Sequence, residues 1–157
     1  MDTRTFIIAS NGRLKWRLHH TLEDLSPEQL HYRTPLIDDR PIAEVAMHAA
    51  VILLGHALVA AGKSWPLEDF PLDGWPPRLA QPDSAAALLT LLDALLAQVD
   101  ELVSRFSADG LDKDVTFPWG QQQAGDALSA GLVHALTHAG GLQGIRALGG
   151  FPVPPGY

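Results

Sequence analysis

The sequence predicts an all-α protein, a four-helix bundle. Four long stretches return apolar side chains at helical spacing, proline- or glycine-rich breaks separate them, and no run shows strand-period alternation. With 157 residues the chain is long enough to close one hydrophobic core and short for two. Residues 1–157 are therefore read as one domain.

The first helix is expected near residues 3–25, where Phe6, Ile7, Leu14, Leu18, Leu22 and Leu25 share a face and Gly12 is the weak point. Ser26 then caps a short turn that has Pro27 at its first helical position. The second helix, near 41–62, is apolar almost all round, the mark of burial on several sides. Residues 63–82 hold Pro66, Pro71, Pro76, Pro77 and Pro82 with Trp65 and Trp75. No helix survives that proline density. Such a segment is either a surface loop pinned by its tryptophans or a substrate-facing lid. In both cases it can cross the bundle and let the second and third helices run parallel.

The third helix, near 83–107, starts with Asp83 or Ser84 as cap. It places Leu88, Leu92, Leu95, Val99, Leu102 and Phe106 at alternating spacings of four and three. Leu89, Leu96 and Val103 widen this stripe beyond what one internal neighbour needs, and the extra width predicts a homodimer contact. The fourth helix, near 123–148, ends at Gly149-Gly150. The tail FPVPPGY is too rich in proline to be helical.

Charge and composition restrict the partners. A net charge of −7 and only 11 Lys and Arg oppose a nucleic-acid partner, which needs a basic surface. Cysteine is absent, which excludes disulfides, a thiolate nucleophile and thiolate ligands, so a site must rest on histidine, carboxylates and water. The longest apolar run, Val45 to Ala61, contains His48 and His56. It is short and polar for a spanning segment, so no membrane partner is expected. No secretory pattern opens the chain, and the expected location is the cytoplasm.

Histidine carries the chemistry. His134 and His138 stand four residues apart in GLVHALTHAGGLQGIRAL, which puts both rings on one helical face about 6 Å apart along the axis. His48 lies in the equally apolar PIAEVAMHAAVILLGHALVAA. Three neutral imidazoles on two packed helices can hold one metal ion and leave a coordination position open. The alternative is a set of core or interface histidines without metal. His56 is about 12 Å along the helix from His48 and about 80° around it, so both cannot bind one ion. It is expected to be a core or rim histidine. His19, His20 and His31 read as a solvated edge. The spacing Glu28-x-x-His31 occurs once, which argues against a di-iron bundle. Glu44, four residues before His48, is a candidate general base or ligand-orienting acceptor, or simply a first-turn glutamate favoured by the helix dipole.

The order of these motifs resembles the DinB/YfiT-like superfamily, the damage-inducible-protein-like and bacillithiol-transferase-like four-helix proteins. The resemblance rests on PIAEVAMHA, the long second connection, FPWG before the last helix, and HALTHAGGLQGIRALGG. It covers essentially the whole chain. It implies an up-down-down-up bundle, often dimeric, with a divalent metal such as Zn or Ni on three histidines. Carried over by position, those ligands are His48, His134 and His138. Members often have an HRGQ pattern with Gln three residues after the last ligand, whereas this chain has Ala139-Gly140-Gly141. That removes a side-chain hydrogen bond that would orient substrate.

The resemblance further implies a small-molecule substrate and a low-molecular-weight thiol, transferred to an electrophile. Trp75 and Trp119, on the two connections, are the candidates to line the pocket. A metal-dependent hydrolase is the close variant. A non-enzymatic stress-response or sensor protein that binds metal or a small ligand is the alternative of a different class, and a plain dimeric bundle with structural histidines is the last.

Overall fold

The chain enters its first helix at Asp2, whose carboxylate accepts a hydrogen bond from the Thr5 amide at 2.8 Å. This cap satisfies one of the amides that a helix start leaves free. In the computed structural model, which describes residues 2–33, 40–64 and 82–154, α1 spans Thr3–Leu22. A capping box opens the one-turn α2 (Pro27–Leu30), where Ser26 and Gln29 each accept from the other's amide. α3 (Ile42–Ala60) stops before Gly62, which takes a left-handed φ of 93°. α4 (Ala85–Ser104) is capped by Ser84 rather than Asp83, the Ser84 hydroxyl accepting from Ala87. After the one-turn α5 (Ala108–Leu111), α6 runs from Ala124 to Leu148. The four long helices match expectation, with ends one to three residues shorter than the periodicity suggests. The first stops at Leu22 because Ser26 restarts the chain in its own box.

The expectation of no strands is corrected. β1 (Asp114–Phe117) and β2 (Gly120–Gln123) form an antiparallel hairpin whose register pairs Phe117 with Gly120 and Val115 with Gln122. Pro118 and Trp119 form its two-residue turn, and Gly120 supplies the φ of 140° that follows it. Four residues per strand are too few for alternation to stand out. Yet the alternation exists: Val115 and Phe117 turn inward while Asp114 and Thr116 face water.

Side-chain contacts fix the helix directions. Arg17 lies beside Gly140, and Arg146 reaches back to Thr21 and Asp24, so α1 and α6 run parallel. Asn11 donates to the Leu96 carbonyl while His19 meets Asp93, so α1 and α4 are antiparallel. His56 abuts Gly131 while His48 meets His134, so α3 and α6 are antiparallel. The result is an up-down-down-up bundle in which α3 and α4 run the same way. The end of α3 and the start of α4 therefore lie at opposite ends of the bundle.

One apolar core draws on all four long helices. α3 is long and apolar enough to cross a membrane by length and composition. Its place inside the bundle accounts for that composition, since it packs against both α4 and α6 and is largely buried. The width of the α4 stripe has an internal explanation too. Leu89, Leu96 and Val103 are buried in the protein's own core, and no large side chain of α4 is among the exposed hydrophobics. The helix face invoked for a homodimer is therefore already covered.

A polar latch closes one end. The Arg146 side chain is fully buried. It forks onto Asp24 at 2.7 and 3.0 Å and also donates to the carbonyls of Thr21 and Pro152. This pins α6 to the end of α1 and to the C-terminal segment, where Phe151 packs edge-on against Tyr32 at 5.2 Å. The guanidinium hydrogen bonds hold the Asp24 carboxyl below its ordinary pKa.

Candidate metal centre

α3 and α6 form the most extensive helix contact of the bundle. The small residues Ala49, Ala135 and Ala139 on these two helices are buried. That lets α3 and α6 approach closely, and the larger imidazoles stand at the edge of the seam. His48 projects from the second turn of α3, and His134 and His138 from successive turns of α6.

The three rings converge. His48 Nε2 and His134 Nε2 are 3.0 Å apart, and His138 Nε2 is 2.9 Å from His134 Nε2. One ligand atom from each residue lies within 4.8 Å of the others. Metal–nitrogen bonds near 2.1 Å put ligand nitrogens about 3.0 Å apart at right angles and about 3.4 Å apart in a tetrahedron. The two shortest separations match ligands at right angles around one ion. Hydrogen bonding alone accounts for them poorly. A ring nitrogen carries either one hydrogen or one lone pair, so His134 Nε2 cannot make two well-directed bonds at once. Three imidazole nitrogens gathered at a shared point fit a cation.

The protonation state also fits. Burial pushes the His48 pKa down to about 3, with help from the charges of His138, His134 and Arg40. Burial lowers His134 as well, although part of its ring stays open to solvent. Both are neutral at neutral pH, the form that binds metal. Among the described residues, this cluster is the three-ligand group with metal-binding geometry.

The other singled-out residues divide. Glu44 sits one turn before His48 on the same face of α3 and is half-buried. His56 stands apart from the cluster, in keeping with its reading as a core histidine. It is buried, its Nδ1–H donates to the Ile52 carbonyl at 2.8 Å, and its ring packs 5.1 Å from Phe117. Trp119, on the hairpin turn, stacks on Phe117 at 4.8 Å, lies 6.4 Å from the His56 ring and leaves much of its surface exposed. Trp75 lies outside the described residues. His19 is an α1–α4 linker, 2.8 Å from Asp93, rather than a free edge.

Two participants escaped the sequence reading. Gly131 has a packing reason: a Cβ there would sit 2.7 Å from His56 Cβ, so only glycine lets His56 lie flat on α6. Arg146 was legible as the one cation of α6, set among Leu142, Ile145 and Leu148.

Comparison with known proteins agrees with the fold. A family profile described as the DinB superfamily matches residues 14–142. The crystal structure of a DinB-like protein, YjoA of Bacillus subtilis, is similar in fold at a TM-score of 0.73 and 15% identity, covering 96% of each chain. No curated protein matches in sequence.

Proposed function

The chain belongs to the DinB superfamily, and from that premise we propose that it is a metal-dependent enzyme. In this reading His48, His134 and His138 hold one divalent cation, zinc or nickel, and the reaction transfers a low-molecular-weight thiol to a small electrophile. The observation that carries the proposal is the approach of three imidazole nitrogens to one point. When bound, such an ion supplies a Lewis acid that lowers the pKa of an adjacent thiol or water.

The chain's own residues support that chemistry. Because the protein has no cysteine, a reacting sulfur must come from a cosubstrate. Arg40 lies close enough for its charge to act on His48, so the same field favours an anionic sulfur beside the cluster. Glu44, one turn from His48, is the proposed acceptor of the thiol proton. Trp119 offers an exposed aromatic face for an apolar electrophile. Water activated in place of the thiol would give the hydrolytic variant.

The test loads the protein with zinc or nickel and supplies cysteine with monochlorobimane. Sulfur–carbon bond formation then expels chloride, and the thiol proton leaves to Glu44 or solvent. Turnover is expected for the loaded protein and not for His138→Ala. Equal turnover by the variant would show that the cluster is not the catalyst. Stoichiometric metal without turnover on any acceptor would leave a metal-binding protein in place of a transferase.

A further inference from the structure

The hairpin leaves one edge open. Ala124 donates to the Lys113 carbonyl at 2.8 Å, which makes Lys113 and Ala124 a hydrogen-bonded pair at the base of the ladder. Bonded and non-bonded pairs alternate along antiparallel strands. By the register of the hairpin, Val115 with Gln122 and Phe117 with Gly120 are therefore bonded pairs as well, and Asp114 and Thr116 are not. The amides and carbonyls of these two residues point away from β2, and nothing among the described residues pairs with them. An unpaired edge is a template for another strand. Proline and bulges are devices that blunt such edges, and β1 has neither.

A groove of about 360 Å³ runs along this edge. β1 forms one wall, and Val59, Gly62, Lys63 and Ser64, at the end of α3 and just beyond it, form the other. No residue of β2 lines it, so the groove lies on the open side of β1. The α3 wall spends its amides on its own cap, Gly62 donating to Val59 and Lys63 to Leu58. The open backbone groups thus belong to β1. Gly62 brings no side chain, and even a Cβ there would meet nothing within 4 Å, so this wall leaves room for a passing chain. Lys63 and Asp114 bring opposite charges to the groove, and neither has an ion-pair partner among the described residues.

We propose that an extended peptide segment of a partner docks in this groove as a third strand, antiparallel to β1. Asp114 and Thr116 each offer a donor and an acceptor, repeated about 7 Å apart. That is the repeat of an extended chain, which bonds to one side through alternate residues. The peptide residue opposite Val115 turns inward with it and is apolar, since Val115 packs against the cluster that holds Val59. The residue opposite Asp114 is basic, and a carboxylate elsewhere on the segment answers Lys63. A second copy of this chain fits less well, because the wall at 62–64 stands beside the same edge in each copy and the two walls would meet. The groove is remote from the histidine cluster: α3 ends at Ala60, 12 residues beyond His48 and about 18 Å along the axis.

The experiment titrates the full-length nitrogen-15-labelled protein with acetyl-Glu-Val-Lys-amide and follows the backbone amide resonances. The three peptide residues then stand opposite Thr116, Val115 and Asp114. Saturable shifts are expected at the Thr116 and Asp114 amides, and smaller ones at Val115 and Phe117, whose amides already serve β2. A peptide N-methylated at Glu and Lys, whose amides face β1, should bind about tenfold more weakly, whereas methylation at Val, whose amide faces away, should cost less than about threefold. The charge-swapped acetyl-Lys-Val-Glu-amide sets a carboxylate against Asp114 and should bind about threefold more weakly. Thr116→Pro removes an outward amide without touching the β1–β2 ladder and should weaken binding about fivefold, while Thr116→Val keeps that amide and should bind as the parent does. Absence of saturable shifts at millimolar peptide, equal affinity of the doubly methylated peptide, or shifts at Val115 and Phe117 as large as at Thr116 would each overturn the proposal. Sedimentation of the protein alone as a dimer that Thr116→Pro disperses would assign the edge to a second copy instead.

Discussion

Two of the places where the bundle brings polar side chains into helix seams are built on opposite rules. At the α1–α6 end, a buried guanidinium meets a carboxylate and two carbonyls, so unlike groups are matched. At the α3–α6 seam, three imidazoles meet one another, so like groups are gathered around one point. A polar site that serves the fold pairs unlike groups, whereas one that serves a ligand gathers like groups around one point. The latch should thus matter to stability and the cluster to binding.

The largest expected effect tests that division at the cluster. His134→Ala should weaken zinc or nickel binding about a thousandfold, on the order of 4 kcal/mol, measured by competition with a chromophoric chelator. The metal-free variant should unfold within about 0.5 kcal/mol of the parent, as expected for a partly exposed side chain. A large loss of metal-free stability would make the histidines structural. His56→Ala should leave metal binding intact, because that ring is engaged with Ile52 and Phe117.

At the latch the pattern reverses. Asp24→Ala leaves a fully buried guanidinium without its carboxylate and should cost about 2–3 kcal/mol in urea unfolding. Arg146→Met should cost less, about 1 kcal/mol, because the remaining Asp24 carboxylate is half exposed and can be hydrated. Neither change should alter metal affinity. If Arg146→Met proves the costlier, the stability lies in packing of the arginine stem rather than in its charge.

The sequence made the cluster legible and left the latch obscure for a physical reason. His134 and His138 are one helical turn apart, so their meeting is local geometry, and only His48 had to arrive from elsewhere. Arg146 meets Asp24 across the bundle, and no spacing within either helix announces that pair. The hairpin escaped because Val115 and Phe117 supply only two inward positions before the turn. The wide stripe of α4 is buried within the chain's own core, and apolar width alone does not say whether the neighbour is another helix of the same chain or a second copy.

Glycines sharpen the comparison at smaller magnitude. A methyl at Gly131 would press on His56 Cβ and Cγ at 2.7 and 2.8 Å, atoms close to the α3 backbone. Gly131→Ala should cost about 2 kcal/mol by overpacking the seam that carries the cluster, and His56→Ala should recover much of it. Gly144→Ala, with nothing within 4 Å of the new methyl, should instead stabilise by roughly 0.5–1 kcal/mol. Chemical denaturation of the three variants decides the matter, and equal effects at both glycines would deny that the α3–α6 seam is the tighter.

The smallest effect separates the two seams by pH. Burial lowers the pKa of His56, and also of His48 and His134, so in metal-free protein these rings stay neutral when folded. The unfolded chain takes up their protons first as pH falls below about 6.5. Their contribution is therefore complete above that pH and declines on acidification toward the folded pKa values. Asp24 is also depressed, but from a carboxyl value of 3.8. Its contribution is present above that pH and is lost only as pH falls further, through the lower folded value. Thermal unfolding of the metal-free protein should show two acid windows. His56→Gln should make only the upper one shallower, and Asp24→Asn only the lower one. The Asp24 change should be the weaker of the two, since its carboxylate is half exposed and screened by water. An Asp24→Asn effect near pH 6 would mean that the latch and the seam unfold as one electrostatic unit, and the distinction between them would fall.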